Sequence, residues 1–89
     1  MTLQAVIARA RQFVNETFLY TQSHVVLGDH DRLLDVGVMD SMGVLELIGF
    51  LESEFGIAVG AEDVNEENLG TLANIGRYVT SRSAHWEQR

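Results

Sequence analysis

Residues 40–56, DSMGVLELIGFLESEFG, decide the fold because they read as one amphipathic helix with a signal at each end. Asp40 is a favoured N-cap residue, and Gly56 stands where helices commonly end in a glycine. At about 100° per residue, five apolar side chains fall within an arc of about 100° on the helix surface. They are Val44, Leu47, Ile48, Leu51 and Phe55. The segment therefore predicts a helix with one buried face.

The chain on either side of this segment also has helical patterns. Upstream, Thr2 is a candidate N-cap, and an apolar stripe follows at helical spacing, formed by Leu3, Val6, Ile7, Ala10, Phe13, Val14 and Phe18. Downstream, AEDVNEEN is long enough for one short helix with Val64 facing inward. Thr71 is a candidate N-cap for a last helix whose apolar side is formed by Leu72, Ile75 and Val79.

Turn-forming residues fill positions 21–40, which predict a long loop held by apolar residues, namely Val26, Leu27, Leu33, Leu34 and Val38. No window alternates as a strand does beyond the four residues GIAV. The sequence thus predicts an all-α four-helix bundle of three longer helices and one short helix, with a long loop between the first two. Residues 1–82 are expected to form a single domain, and residues 83–89 a frayed tail.

Composition narrows the class of protein. The 89 residues are 46% hydrophobic and 21% charged, which is typical of one small globular domain. No apolar run approaches the ~20 residues needed to span a bilayer, so no membrane insertion is expected. The absence of cysteine excludes disulfides and thiolate metal sites and favours a cytoplasmic location. A monomer is expected.

The charge of −7 is distributed unevenly. No Lys or Arg occurs between Arg32 and Arg77, whereas that interval contains nine acids: Asp35, Asp40, Glu46, Glu52, Glu54, Glu62, Asp63, Glu66 and Glu67. Such a surface repels phosphate backbones and attracts basic protein patches. Nucleic acid is therefore not expected as a partner, although an acidic surface also serves simple solubility.

Ser41 could be a helix cap, a nucleophile or an attachment point, and the residues around it argue against a nucleophile and against a metal site nearby. A hydrolase elbow needs glycine two residues before and after the serine, but Met39 occupies the first position. No spacing rule links a histidine base to Ser41. A calcium-binding loop that begins at Asp29 would need a glycine at its sixth position and a glutamate at its twelfth. The chain has Leu34 and Asp40 there. Neither catalytic residues nor a metal site is predicted.

The third role is attachment of a group. If Asp40 is the N-cap, Ser41 is the first helical residue, at the positive end of the helix dipole and near unsatisfied backbone N–H groups. A phosphodiester on its hydroxyl would lie where an anion is favoured. Position alone does not separate this role from that of an ordinary polar residue in the first turn.

A wider pattern bears on that choice. The stretch LLDVGVMDSMGVLELIGFLESEFGIAV, followed by EDV and NLGTLANIGRYV, resembles the acyl and peptidyl carrier protein family over about residues 33–80. The resemblance implies a 4′-phosphopantetheine arm from coenzyme A on Ser41, with Asp40 as the preceding aspartate, and acyl or aminoacyl groups held as thioesters on its thiol. Met42 replaces the family's usual leucine. The chain itself would not be an enzyme.

The resemblance also implies partners. A phosphopantetheinyl transferase would modify Ser41, an adenylating ligase or an acyltransferase would charge the thiol, and downstream synthases or transferases would take the cargo. Fatty acid, polyketide and nonribosomal peptide synthesis and amino-acid transfer all remain open. The alternative is an unmodified acidic helical module that binds a basic protein.

Partner enzymes of such carriers dock on the helix that follows the serine. On this helix the face opposite the core combines apolar and acidic residues, so it is predicted to dock partners: Met42, Leu45, Glu46, Gly49, Glu52 and Ser53. Gly49 is unusual because glycine costs ~1 kcal/mol relative to alanine within a helix. It either leaves a notch for a partner side chain or relieves crowding against the long loop.

Overall fold

The computed structural model describes residues 2–19, 26–34 and 40–87, and within these ranges every regular element is helical. Helix α1 spans Leu3–Thr17, α2 spans Ser41–Phe55, the short α3 spans Glu66–Leu69, and α4 spans Leu72–Glu87. A 3₁₀ turn at Ala61–Asp63 lies between α2 and α3. The described part of the chain thus has three long helices and one short one, as the sequence predicted.

Helices α1 and α4 pack most closely. The Thr2 hydroxyl accepts the N–H of Ala5 at 3.1 Å, which caps α1 as predicted. Gly76 of α4 faces α1, and a Cβ atom there would lie 2.7 Å from Ile7 Cγ1 and 2.8 Å from Leu3 Cδ1. Only glycine permits this approach without a shift of the neighbouring side chains.

Helix α2 is joined to α1 by aromatic and charged side chains. The rings of Phe13 and Phe50 stack with their centroids 4.1 Å apart, and the Arg9 guanidinium lies 5.0 Å from the centre of the Phe50 ring. Arg9 also donates to both carboxylate oxygens of Glu54, at 3.2 and 3.4 Å. Phe50 therefore packs on α1.

The hydrophobic core lies where α1, α2 and α4 meet the loop. Its largest fully buried side chains come from every long helix and from Leu33 of the loop: Leu33, Leu47, Leu51, Leu72, Ile75, Val6, Val14 and Val79. Backbone bonds fasten the loop to the last helices, since Leu33 N–H donates to Gly70 O and Ala73 N–H donates to Asp29 O, each at 2.9 Å.

The backbone is helical through Glu87, in keeping with the absence of glycine and proline after Gly76, and a frayed tail over residues 83–89 stays a prediction. The structure corrects two expectations. Val64 is 39% exposed instead of facing inward, and Leu69 occupies the buried position. Val26 is exposed instead of holding the loop, whereas Leu27 is buried. Val38 lies outside the described residues.

Candidate functional site

Asp40 caps the N-terminus of α2. Its backbone is extended, with φ −112° and ψ −171°, and its Oδ1 atom accepts the N–H of Gly43 at 2.9 Å. Its carbonyl accepts the N–H of Val44 at 3.0 Å, which begins the helical ladder. Asp40 is thus an N-cap residue that places a carboxylate at the positive end of the helix.

Ser41 is the first residue of α2, the position predicted from the sequence. Its backbone is part of the helix, and its side chain lies outside the described atoms. A phosphate ester at this position would meet the helix N-terminus, where backbone N–H groups and the dipole favour an anion. The local geometry therefore fits a phosphate-linked group on this residue.

The rest of α2 holds that end in place. Leu47 and Leu51 are completely buried, and Val44, Ile48 and Phe55 pack partly against the same core. Gly56 ends the helix with a left-handed backbone, φ 67° and ψ 31°, and its N–H donates to Glu52 O at 3.1 Å. Glycine adopts this conformation without the penalty that a Cβ brings. Both ends of α2 are therefore fixed by single residues that the sequence identified.

The opposite side of α2 is open to solvent, as predicted. Met42 and Leu45 are 68% and 62% exposed, so this side of α2 presents apolar surface to solvent. The remaining residues of the predicted docking face are exposed as well, namely Glu46, Gly49, Glu52 and Ser53. Their exposure is what docking requires, and their role in docking stays a prediction.

Two acids on α2 have partners within the domain. Glu52 Oε2 accepts the backbone N–H of Val59 at 2.9 Å, across the Gly56 turn. Glu54 is paired with Arg9 of α1. Glu52 therefore supports the segment after α2 in addition to any contact with a partner. The sequence alone did not indicate this bond, because Glu52 and Val59 become neighbours only after the chain reverses at Gly56.

An apolar cleft of about 200 Å³ lies beside the first turn of α2, and no sequence pattern predicted it. It is formed by the loop, α2 and α3, and its lining residues are Leu33, Leu34, Val44, Val64, Asn65, Glu66, Leu69 and Gly70. Leu34, expected to hold the loop, and Val64, expected to face inward, are 50% and 39% exposed and line this cleft. The cleft is formed by segments far apart in the chain, which explains why no local pattern indicated it.

Side-chain contacts hold α3 to the loop and the 3₁₀ turn to α4, beside the cleft. Arg32 Nη2 lies 2.5 Å from both carboxylate oxygens of Glu66, and this hydrogen bond lowers the pKa of Glu66 below its usual value. The Tyr78 hydroxyl donates to Asp63 Oδ2 at 2.9 Å. Burial, together with that bond, raises the pKa of Tyr78 to about 12. The 3₁₀ turn is thus attached to α4.

No group of three or more His, Cys, Asp or Glu residues is arranged to hold a metal ion in the described part of the chain. None of the helices within the described ranges is long and apolar enough to cross a membrane.

A capped helix that begins with a serine, packed in a small helical bundle with an open apolar and acidic face, is the arrangement expected from the resemblance to carrier proteins. Comparison with known proteins gives the family. A protein-family model described as "Phosphopantetheine attachment site" matches residues 16–79. The chain belongs to the phosphopantetheine carrier protein family.

Individual relatives agree with this assignment. The chain is similar to a D-alanyl carrier protein of Streptococcus thermophilus, with 37% identity over 75 residues that cover 84% of this chain and 91% of the relative. A D-alanyl carrier protein of Streptococcus suis is 40% identical over 62 residues, covering 70% of this chain and 75% of the relative. A probable acyl carrier protein, PigG, of Serratia is 26% identical over 62 residues, covering 70% and 71% respectively.

Family membership decides between a carrier and an unmodified interaction module. The protein is a carrier with covalently attached 4′-phosphopantetheine, and it is not itself an enzyme. When bound, the group supplies a thiol on a long flexible arm, at which an acyl or aminoacyl group can be held. The family assignment disfavours the unmodified interaction module, because that class has no attached group.

Proposed function

We propose that the protein carries D-alanine on a phosphopantetheine arm attached to Ser41. The observation that carries this proposal is the 37% identity to a D-alanyl carrier protein along 91% of that relative's length. The position of Ser41 supports the attachment site, because it is the first residue of a helix that Asp40 caps.

The chain's own residues would bind and present the group. Asp40 orders the first turn of α2, so the backbone N–H groups near Ser41 point toward the phosphate. The buried face formed by Leu47 and Leu51 keeps α2 in one orientation. A partner that docks on the exposed face would therefore find the arm in a defined direction.

The proposal includes three classes of partner. A phosphopantetheinyl transferase uses coenzyme A and magnesium to modify Ser41, an adenylating ligase charges the thiol, and a downstream transferase takes the cargo. Both coenzyme A and ATP are cytoplasmic cosubstrates, so we propose that charging takes place in the cytoplasm. The acidic interval from residue 33 to residue 76 would steer basic patches of these enzymes toward α2.

Intact mass tests the attachment site. The unmodified protein is incubated with coenzyme A, magnesium and a promiscuous phosphopantetheinyl transferase. We expect a gain of one phosphopantetheine in the wild type and in Ser81→Ala, which removes an exposed serine of α4, and no gain in Ser41→Ala. A gain that persists in Ser41→Ala would refute the assignment.

A second measurement tests the cargo. The modified protein is incubated with ATP, a D-alanine-activating ligase from the same organism, and D-alanine, L-alanine or a fatty acid. We expect a thiol-dependent gain of one alanyl group with D-alanine only. Protein purified from its host with a longer acyl group would instead favour an acyl carrier, the class of the Serratia relative.

A further inference from the structure

Gly49 lies in the middle of α2 without any structural requirement for glycine among the described residues. A Cβ atom built on Gly49 meets nothing within 4 Å. The other special glycines differ, because Gly56 has a positive φ, and a Cβ on Gly70 or Gly76 would lie under 3.0 Å from a neighbouring atom. Crowding against the described part of the loop therefore does not explain Gly49.

The surroundings of Gly49 form a step on the exposed face of α2. In a helix, residues three and four positions apart are neighbours, so Leu45 and Glu46 lie one turn before Gly49 and Ser53 lies one turn after it. Leu45 is 62% exposed and stands out from the surface, while Gly49 presents only backbone. The face therefore has a recess one residue wide, with an apolar wall on one side and a carboxylate beside it.

We infer that this recess receives an apolar side chain of the ligase that charges the carrier, next to a basic residue that pairs with Glu46. The inference rests on the proposed function, because it names the partner that the docking face fits. Charge complementarity supports a basic partner, since no Lys or Arg lies between Arg32 and Arg77 in the sequence. The ion pairs of the described residues include Glu54, Asp29 and Glu66, and Glu46 remains exposed to a partner.

The inference makes Gly49 a specificity-determining residue. A side chain at this position would fill the recess and keep the partner's side chain from reaching the helix backbone, as an overfilled pocket rejects a larger group. The effect would fall on association of the two proteins and not on the chemistry at the thiol. The KM for the carrier should therefore rise while kcat stays the same.

The experiment measures charging of the modified full-length protein by the D-alanine-activating ligase of the same organism, with varied carrier concentration. Gly49→Leu is compared with Ser81→Leu, which adds the same side chain at an exposed position of α4. We expect Gly49→Leu to raise the KM about tenfold or more, the lower range for one added aliphatic group in a fitted site. Ser81→Leu should stay within about twofold of the wild type.

Urea unfolding accompanies the kinetics. The midpoint for Gly49→Leu should equal or exceed that of the wild type, because leucine favours a helix more than glycine does. A KM for Gly49→Leu within about twofold of the wild type would overturn the recess. A raised KM together with a lowered midpoint would also overturn it, because loss of folded structure would then explain the defect.

Two further outcomes identify other causes. If the wild type takes up phosphopantetheine but no D-alanine, the proposed cargo fails, and with it the choice of this ligase as occupant. If the wild type self-associates in sedimentation and Gly49→Leu does not, the recess belongs to a second copy of the chain. Normal charging of the wild type with an unaffected Gly49→Leu variant removes this inference alone.

Discussion

Replacement of Asp40 tests how the N-terminal turn of α2 is stabilised. Asp40→Ala removes the 2.9 Å bond from the Gly43 N–H and the negative charge at the helix N-terminus. Loss of an N-cap side chain costs about 1 kcal/mol, and the charge contributes about 0.3–1 kcal/mol. The free energy of unfolding should therefore fall by about 1–2 kcal/mol. In a domain of this size the melting temperature drops about 4–8 °C for each kcal/mol.

A second variant separates the two contributions. Asp40→Asn keeps an acceptor for the Gly43 N–H and loses only the charge, so it should lose no more than about 1 kcal/mol. Glu46→Ala is the matched control, because it removes an exposed acid from the next turn of the same helix. It should change the free energy of unfolding by less than about 0.5 kcal/mol.

The assay is urea unfolding followed by far-ultraviolet circular dichroism at low ionic strength. Equal slopes against urea are required, so that a shift in midpoint reports stability alone. The N-cap interpretation is refuted if Asp40→Ala is as stable as the wild type. Equal losses in Asp40→Ala and Asp40→Asn would show instead that the charge, and not the hydrogen bond, orders the first turn.

Two other contacts give separate predictions. Tyr78→Phe removes the bond to Asp63 from a nearly buried ring, so the free energy of unfolding should fall by about 1–2 kcal/mol in thermal or urea unfolding. An unchanged stability would refute a role for this bond in holding the 3₁₀ turn. The pKa of Glu66 is lowered in the folded state by Arg32, so its contribution to stability is present above the ordinary value of 4.5 and lost as pH falls through the lower folded value. The difference in melting temperature between the wild type and Glu66→Gln should therefore be largest near neutral pH. It should shrink in acid and in high salt. A difference that grows in acid would contradict the pairing of Glu66 with Arg32.

The sequence predicted α2 accurately because its signals are local. Asp40 and Gly56 mark the two ends by their own backbone preferences, and the apolar spacing between them distinguishes a buried side from an exposed one. Thr2 and Thr71 were identified in the same way, and each hydroxyl accepts the N–H three residues later. Such patterns need no knowledge of the tertiary fold.

The errors arose where distant segments meet. Val64 and Leu69 are both apolar and close in sequence, and only the path of α3 across the loop decides which of them is buried. Glu52 looked like a free surface acid because its partner, Val59 N–H, becomes a neighbour only after the chain reverses at Gly56. The cleft beside Val44 likewise depends on how the loop and α3 are placed. Predictions of this kind need tertiary contacts, which one sequence does not contain.

The left-handed residue at Gly56 has a consequence for the whole reaction cycle. It ends α2 after fifteen residues, which gives a helix about 22 Å long with Ser41, the proposed attachment residue, at the opposite end. With the arm attached to Ser41 as proposed, an enzyme that docks on a given turn of α2 lies at a fixed distance from the attachment point. On this proposal, α2 sets the same distance for each successive partner. A chain that is not itself an enzyme therefore determines where the reactions of its partners take place.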